Sequence, residues 1–184
     1  MPACHPLTDT QLPLIWLLSD ARNDAGLEKA LVSLPPQSGF VFRHYHLDED
    51  QRRARFAALR QIAHEAGHVA ILSGTAQLAQ EWQADGVYGA AEKLGPENDL
   101  LRLATAHDWA ELRQAEAASA SGVFLSPVFA THSHPGGKTL GARRFHSLAK
   151  QTHLPVIALG GMNAAKAKEL DWPRWGAIDG LSQD

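Results

Sequence analysis

Polar side chains that could move a proton or bind an anion stand at the ends of two short apolar runs. Thr105 and His107 close the run LLRLATAH, and the segment THSHPGGK, from Thr131 to Lys138, follows the run GVFLSPVF. Imidazole exchanges protons near neutral pH, so His107 is a candidate for general acid–base catalysis. The alternative is a partly exposed turn histidine without a chemical role. The polar groups of THSHPGGK could contact an anionic ligand or simply form a solvated loop.

A third segment, ALGGMNAAKA, has the composition of a phosphate-binding turn. Gly160 and Gly161 end an apolar run, and Met162 lies just before the predicted start of a helix. Glycine lets the backbone approach an anion closely, and the free N–H groups at a helix start favour negative charge. We therefore predict a phosphate site at these three residues, and the alternative is a tight turn that binds nothing.

The pair His132 and His134 raises the separate question of a metal site. An HxH pair on a strand places both rings on one face, but a catalytic zinc site needs a third protein ligand. The sequence offers no HExxH motif or evident carboxylate partner, and Pro-Gly-Gly follows the pair at once. We predict no metal ligands and expect a solvated or anion-contacting loop.

Composition narrows the classes of protein to consider. The 184 residues are 45% apolar and 20% charged with a formal net charge of −3, which argues against nucleic-acid or membrane binding through bulk electrostatics. No apolar run approaches the roughly 20 residues of a membrane span. The single cysteine, Cys4, excludes an internal disulfide and a cysteine-based zinc site. The first residues lack the features of a signal peptide, so a cytoplasmic location is expected.

Apolar runs and helical patterns alternate along the chain. Near-continuous apolar runs of strand length, typical of a parallel sheet buried on both faces, lie at 12–20, 39–47, 68–74, 85–89, 100–107, 122–129, 154–161 and 176–181. Helical patterns lie at 25–34, 49–67, 76–83, 108–120, 140–152 and 164–172. Eight strand candidates in an α/β order predict a (β/α)8 TIM barrel, and an open flavodoxin-like sheet is the alternative. No linker is evident, so residues 1–184 are predicted to form one domain.

The predicted barrel is short in two places. The connection 89–100 has little room for a helix, and only three residues follow the last run, so the closing helix is predicted to be missing or truncated. Such a gap would leave apolar surface that a second chain could cover. A homodimer is therefore an open alternative.

The barrel prediction also selects candidate site residues, because sites in this fold lie at the carboxyl ends of the strands. Besides the segments above, this rule selects Ser19, Asp20, Arg43, His44, Tyr45, Ser73 and Gly74. The basic residues of the pattern 49–67 are instead expected on a solvated helix face; they are Arg52, Arg53, Arg55 and Arg60.

Four motifs resemble the thiamine phosphate synthase/TenI family of (β/α)8 barrels. ADGVY (84–88) resembles the family's ADGVH at strand 4, and TAH (105–107) resembles its Ser-x-His at strand 5. LSPVFATHSH (125–134) resembles GPxFxTxTK, and IALGGM (157–162) resembles AIGGI/M. The resemblance implies a small-molecule phosphate ligand held at Gly160, Gly161 and Met162, with His107 as the catalytic residue. It also implies a substrate-binding set of Arg43, Thr105, Thr131, Ser133, His134 and Lys138.

The chain departs from the synthases of this family where they handle pyrophosphate. Those enzymes join a pyrimidine pyrophosphate to a thiazole phosphate with Mg²⁺. Their strand-2 signature Gln-x-Arg-x-Lys corresponds here to Val41, Arg43 and Tyr45, and their strand-3 Asn-Asp to Ser73-Gly74. Lys93 stands where they have a metal-binding Asp, and His134 stands where they have a strand-6 lysine, although Lys138 could reach the same space. The loss of both metal carboxylates is hard to reconcile with Mg²⁺-dependent departure of pyrophosphate.

The TenI branch resembles this pattern better. Its members are thiazole tautomerases, which aromatise a carboxythiazole phosphate without a metal, and their catalytic histidine matches His107. We therefore predict a metal-independent thiazole tautomerase that needs no cofactor. One alternative is a divergent thiamine phosphate synthase that uses Mg²⁺, and another is a non-catalytic protein that binds a phosphate ligand.

Overall fold

The chain folds into a closed barrel of eight parallel strands. The computed structural model describes residues 12–97, 99–131 and 136–181. The strands are β1 (Ile15–Leu18), β2 (Gly39–Phe42), β3 (Val69–Ser73), β4 (Gly86–Gly89), β5 (Leu101–Ala106), β6 (Gly122–Leu125), β7 (Val156–Ala158) and β8 (Trp175–Ala177). Each strand pairs with the next, and β8 pairs with β1, for example Ile15 with Trp175. The predicted (β/α)8 barrel is confirmed, and the open sheet considered as an alternative is wrong.

Six helices lie between the strands at the predicted places. They are α1 (Leu27–Ser33), α2 (Glu49–Glu65), α3 (Ala76–Glu81), α4 (Trp109–Ala117), α5 (Gly141–Ala149) and α6 (Ala164–Leu170). Asp48, Asp108 and Asn163 begin α2, α4 and α6 by accepting a hydrogen bond from a backbone N–H of the first turn. Such caps fix where a helix begins, and two of them place His107 and Met162 directly before a helix.

The β4–β5 connection, predicted to have little room for a helix, contains the 3₁₀ turn Ala91–Lys93 in its described part. After β8, residues 178–181 form bends and turns, and no helix occurs in this described part of the connection. None of the helices in the described ranges is both long and apolar enough to cross a membrane.

Glycines on the even-numbered strands make room for large side chains inside the barrel. A Cβ atom on Gly39 would lie 2.2 Å from the ring of Trp16, and one on Gly176 would lie 2.9 Å from Leu18. On β4, a Cβ on Gly86 would lie 2.3 Å from the carbonyl oxygen of Leu101, and on β6 one on Gly122 would lie 2.9 Å from Leu12. Barrel interiors are filled in layers contributed by alternate strands. Here the glycines leave space beside neighbouring strands, and Phe124 on β6 fills the interior together with Trp16 and Leu18 on β1.

The basic residues of α2 do not all lie on a solvated face, so that expectation is wrong for three of them. Arg52 Nη2 donates to the carbonyl oxygen of Ser73 at 2.5 Å, and Arg60 Nη1 donates to the carbonyl oxygen of Gln83 at 2.5 Å. Arg55 bonds carboxylates on the β1–α1 side of the barrel. Long guanidinium side chains reach beyond their own helix and satisfy acceptors on neighbouring elements. Arg53 alone matches the expectation, with an exposed ion pair.

Candidate active site

A cavity of about 830 Å³ opens at the carboxyl ends of the strands. Eight of the ten predicted site residues line it, namely Arg43, Thr105, His107, Thr131, Lys138, Gly160, Gly161 and Met162. Ser133 and His134 lie outside the described residues, as does His132. The strand-end rule therefore brought together side chains that are far apart in the sequence.

The His107 side chain is oriented by a carboxylate on the following helix. Its Nδ1 lies 2.7 Å from Glu111 Oε2, and its backbone N–H donates to the same oxygen at 2.7 Å. Since an ionised carboxylate only accepts hydrogen bonds, Nδ1 carries the proton and Nε2 presents a lone pair when the ring is neutral. Glu111 itself is held by its N–H, which donates to Asp108 Oδ1 at 3.0 Å. Glu111 was not among the predicted site residues; its i+4 spacing from His107 was the signal that could have identified it.

Gly160 and Gly161 allow the loop after β7 to pack against the loop after β6. Both residues have positive φ, +97° and +61°. A Cβ on Gly160 would lie 2.7 Å from Pro127 Cα, and one on Gly161 would lie 2.3 Å from the carbonyl oxygen of Ala130. Phe129 N–H donates to the carbonyl oxygen of Gly160 at 3.0 Å, which holds the two loops together. These glycines therefore have a structural reason to be present besides any role toward a ligand.

The same turn also offers unused backbone donors. The N–H groups of Gly160, Gly161 and Met162 donate to no acceptor in the described parts of the chain. The predicted contribution of the helix start needs correction, because Asn163 Oδ1 already accepts from Lys166 N–H at 2.9 Å and α6 has only seven residues. The donors available to an anion are those of the loop.

The loop after β8 completes this side of the cavity. Ile178, Asp179 and Gly180 line the cavity, and a Cβ on Gly180 would lie 2.3 Å from the carbonyl oxygen of Met162. The Asp179 carboxylate is balanced by Arg22, whose Nη1 lies 3.4 Å away. The loops after β7 and β8 thus meet, which is the usual place for phosphate in this fold.

The residues directly before α5 are held against the loop after β6. Leu140 N–H donates to the carbonyl oxygen of Pro127, and Gly141 N–H donates to that of Val128, both at 2.9 Å. Lys138, just before these residues, lines the cavity. Lys138 therefore stands where its ammonium group can add positive charge to the site.

A buried chain of hydrogen bonds positions Arg43. Its backbone N–H donates to Ser19 Oγ at 2.7 Å, Ser19 Oγ lies 2.8 Å from His44 Nδ1, and His44 Nε2 lies 2.8 Å from Asp24 Oδ1. Because Asp24 can only accept when ionised, His44 Nε2 donates to it and Nδ1 accepts from the Ser19 hydroxyl. The strand-end rule was wrong for Ser19 and His44, which are 0% and 1% exposed and lie outside the main cavity.

The Ser19–His44–Asp24 chain is not arranged as a hydrolase triad. A nucleophilic serine has to reach a substrate, and Ser19 is fully buried. The arrangement holds the ends of β1 and β2 in register.

We expect His44 to make stability depend on pH below about 6.5, the ordinary pKa of histidine. Burial lowers the pKa of His44 and outweighs the bond to Asp24 that raises it. The unfolded chain therefore binds a proton at a higher pH than the folded chain does, so the free energy of unfolding falls as pH drops below about 6.5. Urea unfolding between pH 8 and pH 5 would measure this slope, which should flatten in His44→Gln. An unchanged slope in that variant would contradict the assignment.

Asp24 makes the free energy of unfolding depend on pH in a separate, more acidic range. Burial raises the pKa of Asp24, but the hydrogen bonds from His44 and Arg55 outweigh it, so the net pKa lies below the ordinary value. Its contribution is therefore present above about pH 4 and is lost below that. Urea unfolding measured above pH 5 therefore reports the contribution of His44 to the free energy of unfolding without that of Asp24.

The residues at the ends of β3 and β4 do not form the carboxylate site that Mg²⁺ prefers. Ser73, Gly74 and Lys93 line the cavity there, and Ser73 Oγ bonds the Tyr45 hydroxyl at 2.6 Å. Asp179, on the far side, is the one carboxylate in the described lining. Within the described ranges, no three His, Cys, Asp or Glu residues cluster as a metal site would require.

Comparisons with known proteins agree with the fold and the motifs. A family model described as thiamine monophosphate synthase matches residues 21–172. A thiamine-phosphate synthase of Lactococcus lactis subsp. cremoris is 26% identical over 133 residues, a match that covers 67% of this chain and 60% of that protein. A thiamine-phosphate synthase of a Synechococcus species is 28% identical over 163 residues, covering 82% of this chain and 46% of that protein. The matches thus span 60% or less of these relatives.

A solved structure shows the same fold. The thiamine phosphate pyrophosphorylase from Pyrococcus furiosus superposes with a TM-score of 0.79 at 18% sequence identity. The match covers 96% of this chain and 90% of that one. The barrel is therefore shared over nearly its whole length.

Proposed function

The chain belongs to the thiamine monophosphate synthase family, and from this premise we propose that its cavity binds a thiazole phosphate and moves a proton on the thiazole ring. The observation that carries the proposal is the His107–Glu111 pair, which leaves Nε2 of a cavity-lining imidazole free of protein partners among the described residues. The unused N–H groups at Gly160, Gly161 and Met162 support binding of the phosphate in the same cavity.

The proposed reaction is a tautomerisation that makes the ring aromatic. His107 Nε2 takes a proton from carbon, and the electron pair of the broken C–H bond moves into the ring. The imidazolium, stabilised by the Glu111 carboxylate, returns a proton at another atom of the conjugated system. One proton leaves and one is added, so no oxidant or second substrate is needed. A positioned acid–base group of this kind contributes about 10²- to 10⁴-fold to a rate.

The second candidate is a thiamine phosphate synthase. The similar proteins are thiamine-phosphate synthases, which favours it, and the described cavity lining contains Arg43, Lys93 and Lys138. Departure of pyrophosphate needs positive charge, and these groups would have to supply it. The substitutions at Ser73, Gly74 and Lys93 argue against this reaction in its Mg²⁺-dependent form.

Two assays on the purified protein separate the candidates. The first follows aromatisation of the carboxythiazole phosphate tautomer by ultraviolet absorption in EDTA. The second measures condensation of the pyrimidine pyrophosphate with the thiazole phosphate, with Mg²⁺ or EDTA. We expect turnover in the first assay and none in the second. Robust Mg²⁺-dependent condensation without tautomerisation would overturn the proposal, and ligand binding without turnover in either assay would identify a non-catalytic binder.

A further inference from the structure

The side of the cavity formed by β2, β3 and β4 contains a lysine that has no partner within the described protein. Lys93 ends the 3₁₀ turn after β4 and lines the cavity. Its stem lies over Gly89, since a Cβ on that glycine would lie 3.6 Å from Lys93 Cβ and 3.7 Å from its Cδ. No described carboxylate forms an ion pair with its ammonium group. The lysine stem is therefore packed beside Gly89 at the edge of the cavity.

Arg43 adds a second, rigidly held cation on the same side. Its backbone is fixed by the buried Ser19 hydroxyl, and its guanidinium lies 3.6 Å from the Asp20 carboxylate. Burial raises the pKa of Asp20, but the hydrogen bonds from Arg22 and the charges of Arg22 and Arg43 outweigh this effect. The net pKa lies below the ordinary value, so Asp20 is ionised near neutral pH. The Arg43 backbone is fixed and its guanidinium makes one ion pair, so other N–H groups of the planar guanidinium remain for an anion.

The neighbouring positions on β2 and β3 are neutral and paired with each other. The Tyr45 hydroxyl bonds Ser73 Oγ at 2.6 Å. The guanidinium groups of Arg43 and Arg52 lie 5.6 and 5.8 Å from the centre of the Tyr45 ring, and Arg52 is itself anchored to the Ser73 carbonyl. This side of the cavity therefore offers hydroxyl groups and fixed positive charge, but no described carboxylate that would bind a metal ion.

We propose that Lys93 and Arg43 form a metal-independent subsite for a second anionic group of the ligand. The inference rests on the proposed function, because the subsite belongs to the same cavity as the phosphate turn. In a closed barrel of eight strands β3 lies opposite β7, so the two subsites face each other across the cavity mouth. The ligand class is a small molecule with a phosphate at one end and a carboxylate or second phosphate at the other. Ammonium and guanidinium groups bind such anions directly, so a bridging metal is not required.

Calorimetry in EDTA tests the subsite with two matched probes, thiazole phosphate with and without the ring carboxylate. A charge-assisted hydrogen bond changes affinity by about 10- to 100-fold. The carboxylated probe should bind more tightly than the other by that factor, and Lys93→Met should remove the difference without weakening the uncarboxylated probe. Lys29→Met, on the exposed surface of α1, is the control variant, and it should keep the difference in affinity between the two probes. Equal affinities in the unmodified protein, or a difference that survives Lys93→Met, would overturn a carboxylate subsite.

The pyrimidine pyrophosphate is a third probe. It distinguishes a carboxylate from a phosphate as the anion bound at the subsite, and it tests the subsite separately from the proposed tautomerase function. If the pyrimidine pyrophosphate binds in EDTA and loses about 10-fold or more in Lys93→Met, the metal-independent subsite is supported and the tautomerase function is not. If the pyrimidine pyrophosphate binds only with Mg²⁺, and the carboxylate makes no difference, the subsite is wrong. If thiazole phosphate itself fails to bind, the proposed function fails, and the subsite stands only on the pyrophosphate result.

Discussion

Replacement of His107 by glutamine is expected to lower the rate of aromatisation by about 10²- to 10⁴-fold. Glutamine retains hydrogen-bonding capacity near Glu111 but cannot take up and return a proton at neutral pH. Binding of thiazole phosphate should change little, because the loop amides and the cationic side chains that would hold it are untouched. The effect should therefore fall on kcat and leave the calorimetric Kd nearly unchanged. Steady-state rates and Kd values for the two proteins would measure both quantities.

The chain offers a matched control for this substitution. His64 Nε2 lies 2.8 Å from Asp85 Oδ2, a histidine–carboxylate pair of nearly the same length as His107–Glu111. His64 lies at the end of α2 and Asp85 lies directly before β4. The pair is therefore at the amino ends of the strands, far from the cavity mouth. His64→Gln should therefore leave the rate unchanged. Turnover in His107→Gln equal to that of the control would show that His107 is not the proton-transfer group.

The fold could be predicted from the sequence because each strand is a run that remains apolar on both faces. The run 122–129, for example, has no alternation, and its first part forms β6, buried on the inside by the barrel core and on the outside by helices. Strand ends in a parallel barrel all face one way, so the polar residues after most of the runs were sound candidates for the cavity, with Ser19 and His44 as exceptions. This simple geometry placed His107, Arg43 and Gly160 together.

What the sequence did not predict depends on side-chain direction. The hydrogen bond that Glu111 accepts from His107 requires the Glu111 carboxylate to turn back over the start of α4. The chain from Arg43 through Ser19 and His44 to Asp24 depends on the pairing of β1 with β2, which sets Leu18 beside Val41. Because β1 and β2 are buried on both faces, their residue pattern predicts the strands but does not fix the register between them.

The departures from the synthase motifs also gain meaning from the structure. In the sequence, Tyr45 stands in place of the lysine of the synthases' strand-2 motif, and Ser73 stands in place of the asparagine of their strand-3 motif. The two departures look unrelated there. In the fold the hydroxyl groups of Tyr45 and Ser73 bond each other, so the two substitutions fit one another. This complementary neutral pair supports the proposal that the cavity binds a ligand group other than a metal-bound pyrophosphate.

The barrel interior should be highly sensitive to a single added methyl group at Gly39. A Cβ there would lie 2.2 to 2.6 Å from three atoms of the Trp16 ring. That ring is fully buried, packs edge-on against Phe124, and donates from Nε1 to the carbonyl oxygen of Pro13 at 2.8 Å. It cannot move aside without losing packing and a hydrogen bond. Gly39→Ala should lower the free energy of unfolding by about 3 kcal/mol or more, measured by urea unfolding.

Two further variants test whether the overlap with Trp16 is the cause. Gly26→Ala, where no atom lies within 4 Å of the added Cβ, should change stability by less than about 1 kcal/mol. Trp16→Leu creates space, so Gly39→Ala in that background should cost much less than in the unmodified chain, a coupling expected of residues in contact. Equal costs in the two backgrounds would mean that the loss arises elsewhere, for example from the β1–β2 backbone. A large coupling would show that bulk on β1 and space on β2 form one packing unit, the arrangement that closes this barrel around its core.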